Sequence, residues 1–405
     1  MSTPVVLDFY TRSVVPWFDE KKYIAEPTVF MSMFGHPENG SVTTFSPDQN
    51  AFDGEITRGN LRTATLVPRG TNARPLGSPG ATQPHSDLSQ AIASYFSRKY
   101  PLVEEYASVT ADQTLNRVPG ESPFEGRQRV DRYKTLMGRG YEEGVRRIIR
   151  LDEYLASQSI LTGKQPVVNL QNTTDVYDWR RNSGNNVTVG TLWSGAGTPL
   201  TDIDNLCEAI LQNGKVRVDT ALMGGKALGA LLGNSQLTTV YANKLFYDLT
   251  YFGPNFQPDP KYAKLIAGGA IPYAKLRTPR GYDITIFTYP HFYQNAAGAY
   301  TKYLTDNSCV LYSTQARADR FFGPPEAFSP TVADIQYFME RLGFNPNTPY
   351  LPQGVLAGDG VVIPETIYAQ LLRDPSGKVE TLRLQHAPIF QPTQTDGFGV
   401  LQTLA

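Results

Sequence analysis

Gly225-Lys226, at the start of an apolar helical stretch, is the pair from which a phosphate-binding loop would be built. Such a loop needs a glycine five residues before the pair and a hydroxyl residue after the lysine, so that backbone N–H groups can wrap the phosphate. Those positions hold Thr220 and Ala227, so the pattern fails. Gly225, Gly229 and Gly233 recur every four residues instead, and the spacing predicts a smooth helical stripe for close packing. The histidines, His36, His85, His291 and His386, lie far apart without ligand-type spacing to Cys, Asp or Glu, so no metal site is assigned. No Gly-x-Ser-x-Gly nucleophile elbow occurs. Any of the 38 carboxylates could pair for acid–base work, but surface salt bridging accounts for them as well. Trp193, just before a helix, reads as a core anchor beneath it, and Arg317 as a partner in an ion pair. No catalytic, cofactor-binding or metal-binding residue is assigned, no cofactor is implied, and the protein is not expected to be an enzyme.

The chain has 405 residues, with 37 Lys plus Arg against 38 Asp plus Glu, a net charge of -1. That balance argues against a protein that grips nucleic acid through its overall charge. Two cysteines, Cys207 and Cys309, cannot form a disulfide framework and read as buried, reduced thiols. Asp8 and Arg12 interrupt the stretch where a secretory signal would have its apolar core, and no run is long enough to span a membrane. Sequons at Asn39, Asn172 and Asn186 are chance matches on this reading. Only 19% of residues are charged, while Tyr and Phe number 23 and 20, a surface chemistry suited to protein contact.

Residues 1–52 read as an extended arm punctuated by prolines, with 26–35 its best strand candidate. Residues 53–93 carry one alternating run, Leu61 to Val67, and then a Pro/Gly/Ser/Thr-rich stretch long enough to be a functional loop. Residues 94–124 alternate short helical and turn signals. The dominant pattern is helical, over 127–163: Val130, Tyr133, Met137, Tyr141, Val145, Ile148 and Leu155 share one face, and charged residues including Glu153 occupy the others. Gly138, Gly140 and Gly144 are expected to bend or break this helix, and Gly163 to stop it. Strands follow in 166–192, then helices over 201–214, with Thr201 as cap and Gly214 as stop, and over 221–233. Residues 270–325 are strand-rich, 331–343 suggest a helix, and 379–390 a final strand. Together these predict an α+β protein.

The order of four stretches resembles the major capsid protein family typified by phage lambda, major capsid protein E, with a Hong Kong 97-type fold. They are EYLASQSILTGK (153–164), TLWSGAGTPLTDIDNLCEAI (191–210), the strand pair of 282–323 with Leu304-Thr305-Asp306 and Gln315-Ala316-Arg317, and APIFQPTQTDGFGVLQTLA (387–405). The resemblance covers most of the chain after residue 25 or so.

It implies an N-terminal arm (1–52) and an extended β-loop (53–93) lying over a neighbouring subunit. It also implies a peripheral domain (94–194) with its spine helix about 127–163, and an axial domain (195–380) carrying an insertion at 326–372. Residues 381–405 would return to the peripheral domain. The implied function is structural: pentamers and hexamers of an icosahedral shell, assembled in the host cytoplasm, that encloses packaged phage DNA without sequence-specific binding. The implied partners are other copies of the chain, a scaffolding protein, a portal and a decoration protein, with no membrane. No charged heptad-like region occupies the first 90 residues, so a scaffold is expected as a separate protein. Two alternatives differ in class. One is an encapsulin-like nanocompartment shell protein, against which the long arm and lambda-like C-terminus argue. The other is a soluble hydrolase whose active site follows no known motif.

Overall fold

The computed structural model describes residues 26–35, 40, 42–44, 51–57, 92–99, 103–110, 123–168, 174–237, 249–251, 259–295, 298–323, 367–373 and 379–403. The Leu61–Val67 run, the 331–343 helix candidate and most of the 326–372 insertion lie outside them.

A helical turn, α1 (Val29–Ser32), stands where 26–35 is expected to be a strand. Val29, Phe30 and Phe34 are fully buried, so one face of a turn, rather than alternate residues of a strand, enters the core. β1 (Val42–Thr44) and β2 (Ala51–Thr57) follow, then β3 (Ile92–Lys99) and β4 (Val103–Thr110). The last two replace the short helices expected in 94–124, and Pro101 falls between them, where no ladder donor is needed. β2 pairs antiparallel with β3 from Ala51↔Lys99 to Thr57↔Ile92, forming the two-stranded base of the segment read as a long loop.

The long helix α2 (Pro123–Leu161) runs 39 residues without interruption, ~58 Å at ~1.5 Å per residue. Proline at its first position needs no hydrogen-bond donor, and Gly163, at φ 71, ends it. The expected break at the glycines does not occur. Gly144 has a packing reason, because a Cβ there would lie 2.5 Å from Leu384 Cδ1. Val145, Ile148 and Leu155 are buried as expected, each worth about 1.5–3 kcal/mol. Glu153, assigned to the polar face, is fully buried instead.

β5 (Lys164–Val168) and β6 (Thr174–Asp178) form a hairpin, and β7 (Asn186–Thr188) follows a turn. α3 (Pro199–Gly214) begins before the expected Thr201 cap: Thr198 is the cap residue, without a side-chain bond, and Pro199 the first helical residue. The left-handed stop is Lys215, at φ 60, not Gly214. Gly214 is small for another reason, since its Cβ would meet Asp396 O at 2.4 Å. The expected helix over 221–233 divides into β8 (Thr220–Met223) and α4 (Gly225–Gly233). Gly225 would bring a Cβ only to 3.6 Å from Asp306 Oδ1, while Gly229 and Gly233 face open space, so the glycine stripe packs against nothing among the described residues.

Then come β9 (Leu249–Tyr251), α5 (Ala263–Ala267), β10 (Ile271–Arg277), β11 (Asp283–Thr288), β12 (Phe292–Gln294), β13 (Tyr300–Lys302), β14 (Ser308–Tyr312) and β15 (Asp319–Phe322). The chain finishes with β16 (Ile367–Arg373), β17 (Val379–His386), β18 (Pro388–Gln391) and β19 (Phe398–Gln402).

The central sheet has the order β7-β19-β14-β8-β11-β10-β9. It is mixed: β8 runs parallel to β11 and β7 to β19, the other pairs antiparallel. Alternate side chains enter two cores. Ala221, Met223, Ile284, Ile286, Cys309, Leu311 and Leu401 face α3 and α4. Leu222, Phe287, Val310, Phe398 and Val400 face α1 and the C-terminal end of α2. A smaller sheet, β16-β17-β4, packs along α2, and β1-β15-β18 forms another. The expected departure of 381–405 is corrected at its end: β19 sits inside the central sheet between β14 and β7, because both its faces are apolar and buried.

Candidate assembly interface

Two groups of residues stand where the arm and the projecting strands meet the body. The first is an anchor. α1 is too short to satisfy its own terminal groups. Glu153, from the middle of α2, accepts from Phe30 N at 2.8 Å and Met31 N at 2.9 Å, closing the N-terminal end of the turn. Arg320, from β15, donates to Phe34 O at 2.8 Å and Met31 O at 2.6 Å, closing the other. Tyr289 donates its hydroxyl to Glu153 Oε1 at 2.9 Å, tying the end of β11 to the same carboxylate. Burial pushes the Glu153 carboxyl up to about 7, against the downward pull of these three hydrogen bonds and of Arg320. Tyr289 is raised as well, first by burial and then by Glu153. Burial lowers Arg320, against the pull of Asp152 and Glu153. At the outer edge Glu26 takes two hydrogen bonds from Arg150, at 3.0 and 3.2 Å. One helix, one sheet strand and residues 26–35 are therefore locked at a single point.

The second group is exposed. Phe292 and Tyr300 are 53% and 78% exposed on the β12–β13 hairpin. Its other face is fixed to the body through Tyr293, whose ring lies 5.0 Å from Tyr303 and 5.2 Å from Tyr154. The β2–β3 ribbon pairs with no other sheet among the described residues. β7 and β9 are the edges of the central sheet, and unpaired strand edges are templates for further pairing.

The residues singled out for chemistry are not brought together. His386 Nε2 lies 2.8 Å from Asp152 Oδ2 in a buried pair between β17 and α2, and His291 packs 5.1 Å from the Tyr289 ring. His36 and His85 lie outside the described residues. No metal-ligating cluster occurs among the described residues. Cys207 and Cys309 are free and buried, and burial raises both thiols, Cys309 to about 12. Trp193 is fully buried under α3 and donates Nε1–H to Asp202 Oδ2 at 2.8 Å. Arg317 pairs with Asp319 at 3.3 Å. Sequence reasoning missed Asp152 and Glu153. The signal for Asp152 was present: it lies four residues after Ile148 and three before Leu155, on the apolar face, where a carboxylate needs a buried partner. Glu153 had none, because its partner is a distant backbone turn. Among the described residues no helix is long and apolar enough to cross a membrane.

Comparison with known proteins agrees with this architecture. The family model for phage major capsid protein E matches residues 55–398. No curated protein sequence matches the chain. The structure described as a capsid protein of a prophage in Escherichia coli CFT073 aligns with a TM-score of 0.54 at 15% identity, covering 99% of each chain, and so shares the fold. A phage-related protein of Bordetella bronchiseptica RB50 aligns at 0.43 and 10% identity over 96% of each chain. The SrpI encapsulin of Synechococcus elongatus PCC 7942 aligns at 0.38 and 9% identity, over 95% of this chain and 91% of that one. A match running from β2 into β19 spans the ribbon, the long helix and the central sheet together, and on it the chain belongs to the phage major capsid protein E family.

Proposed function

We propose that the protein assembles with copies of itself into pentamers and hexamers of an icosahedral shell that encloses packaged double-stranded DNA. Family membership over residues 55–398 carries this reading, and a structural role in the virion capsid follows from it. The layout assigned to the copies is an arm over 1–52, an extended loop over 53–93 and a peripheral domain over 94–194 built on α2. An axial domain centred on the seven-stranded sheet completes it. The ribbon β2–β3 supports the loop assignment, since it pairs within itself and leaves residues 58–91 to be covered by another copy. Each such contact is heterologous, and rotation closes it into rings. Many modest contacts per subunit then sum to a durable shell. Scaffolding, portal and decoration proteins are the further partners of this reading, and the host cytoplasm its place of assembly. The net charge of -1 suits a wall that surrounds DNA without condensing it.

Electron microscopy of purified protein under assembly conditions tests the reading. Closed shells of regular size are expected. Protein that stays monomeric under every condition while turning over a substrate would refute it, and particles filled with an enzyme cargo would favour a nanocompartment. Deleting residues 60–85 should leave a folded body that no longer forms stable shells.

A further inference from the structure

A pocket of about 190 Å³ opens beside the arm anchor, between α1, α5 and the turn after β14. Its walls are apolar and aromatic: Met33, Tyr262, Leu265, Tyr312 and Phe398. Asp219 at its edge is already saturated, taking Thr314 N at 3.0 Å, the Thr314 and Thr220 hydroxyls at 2.5 and 2.8 Å, and Lys261 Nζ at 3.1 Å. Lys264, exposed on the rim, has no acidic partner among the described residues. The site therefore offers an aromatic-sized apolar hole with one unspent positive charge at its mouth. A cavity of ~150 Å³ holds a benzene ring, so this one has room for a larger aromatic side chain.

We propose that this pocket receives the segment Trp17-Phe18-Asp19-Glu20 of the same chain, an aromatic side chain filling the hole and an acidic one meeting Lys264. Four observations support this occupant. The segment joins two aromatic residues directly to two carboxylates, the complement of the pocket and its rim. Lys21 and Lys22 follow it, on the side nearer the anchor, where Glu26 already pairs with Arg150. The pocket is lined by Ser32 and Met33, so its wall belongs to the anchor itself. The reach also closes. From Glu26 to Ser32 the path is at most ~15 Å, because half of it is helical, while the six residues back from Glu26 to Glu20 extend to ~20 Å. The anchor thus becomes the middle of a clasp that folds residues 17–33 onto their own body. The inference does not depend on shell formation, since it concerns one copy.

Cysteine cross-linking of the full chain tests it. Phe18→Cys is combined with Gln315→Cys, at the pocket wall, or with Lys226→Cys, on α4 across the central sheet, and a short bismaleimide is added to dilute, unassembled protein. The native thiols, Cys207 and Cys309, are buried. An intrachain link to position 315, and not to 226, is expected, and Lys264→Glu should slow it by about tenfold. Lys264 is exposed, so that variant should fold; Lys264→Gln, expected to slow linking less, separates charge from side-chain size. Equal linking at both positions, links formed only between two copies, or indifference to Lys264→Glu would each overturn the proposal.

Discussion

Replacing Glu153 with glutamine should change how stability responds to pH more than stability itself. The folded protein holds this carboxyl at about 7, against 4.5 for the unperturbed group. The folded state therefore binds the proton more tightly than the unfolded chain. Stability from this group is fully present below pH 4.5 and is lost as pH rises through about 7, a change of ~3 kcal/mol. Glutamine cannot ionise, and its carbonyl oxygen can still accept from Phe30 N and the Tyr289 hydroxyl. Its amide group faces Met31 N–H, a buried conflict costing ~1–3 kcal/mol at every pH. The assay is urea unfolding of dilute, unassembled protein between pH 4.5 and 8, followed by tryptophan fluorescence, since Trp179 and Trp193 are fully buried reporters. The stability difference between wild type and variant should move in the variant's favour by ~3 kcal/mol across that range. A difference that stays constant with pH would refute the argument, because other titrating groups cancel in the comparison.

Three further substitutions address the packing. Gly144→Ala should destabilise by ~1–3 kcal/mol in thermal unfolding, because the new methyl meets Leu384 Cδ1 at 2.5 Å and outweighs the gain in helix propensity. Gly229→Ala should instead stabilise by ~1 kcal/mol, since its Cβ meets nothing within 4 Å; a lowered melting temperature would restore the packing stripe. Trp193→Phe removes the bond to Asp202 and part of a buried ring, and should cost ~1–3 kcal/mol by denaturant titration without altering the circular dichroism spectrum.

What the sequence disclosed depended on how many faces of an element are buried. α2 was legible because Val145, Ile148 and Leu155 mark one apolar face along a helix whose remainder is polar. β10 was legible too, with Ala274 and Leu276 buried and Lys275 and Arg277 exposed between them. β8 was not. All four of its residues are buried, so it shows no alternation, and its apolar run merged with α4 into one apparent helix. β3 and β4 were missed because neither carries a clean period of two. α1 was misread because four residues are too few to distinguish the two periods, and side chains 122 and 289 residues away close its ends. The assembly surfaces were legible only as composition and as resemblance. Exposed aromatics such as Tyr300 carry no sequence mark that separates them from buried ones such as Tyr303.

The position of β19 has a consequence for timing. The ribosome delivers residues 398–402 after every other strand of the central sheet, yet they belong between β7 and β14. Until they emerge, β14 keeps one edge open and β7 has no neighbour to join, so the nascent chain carries an unfinished sheet throughout its synthesis. A premature stop only a few codons early would thus remove an interior member rather than trim a tail. Copies cut short in this way would be left to proteases before they could compete for a place beside full-length ones.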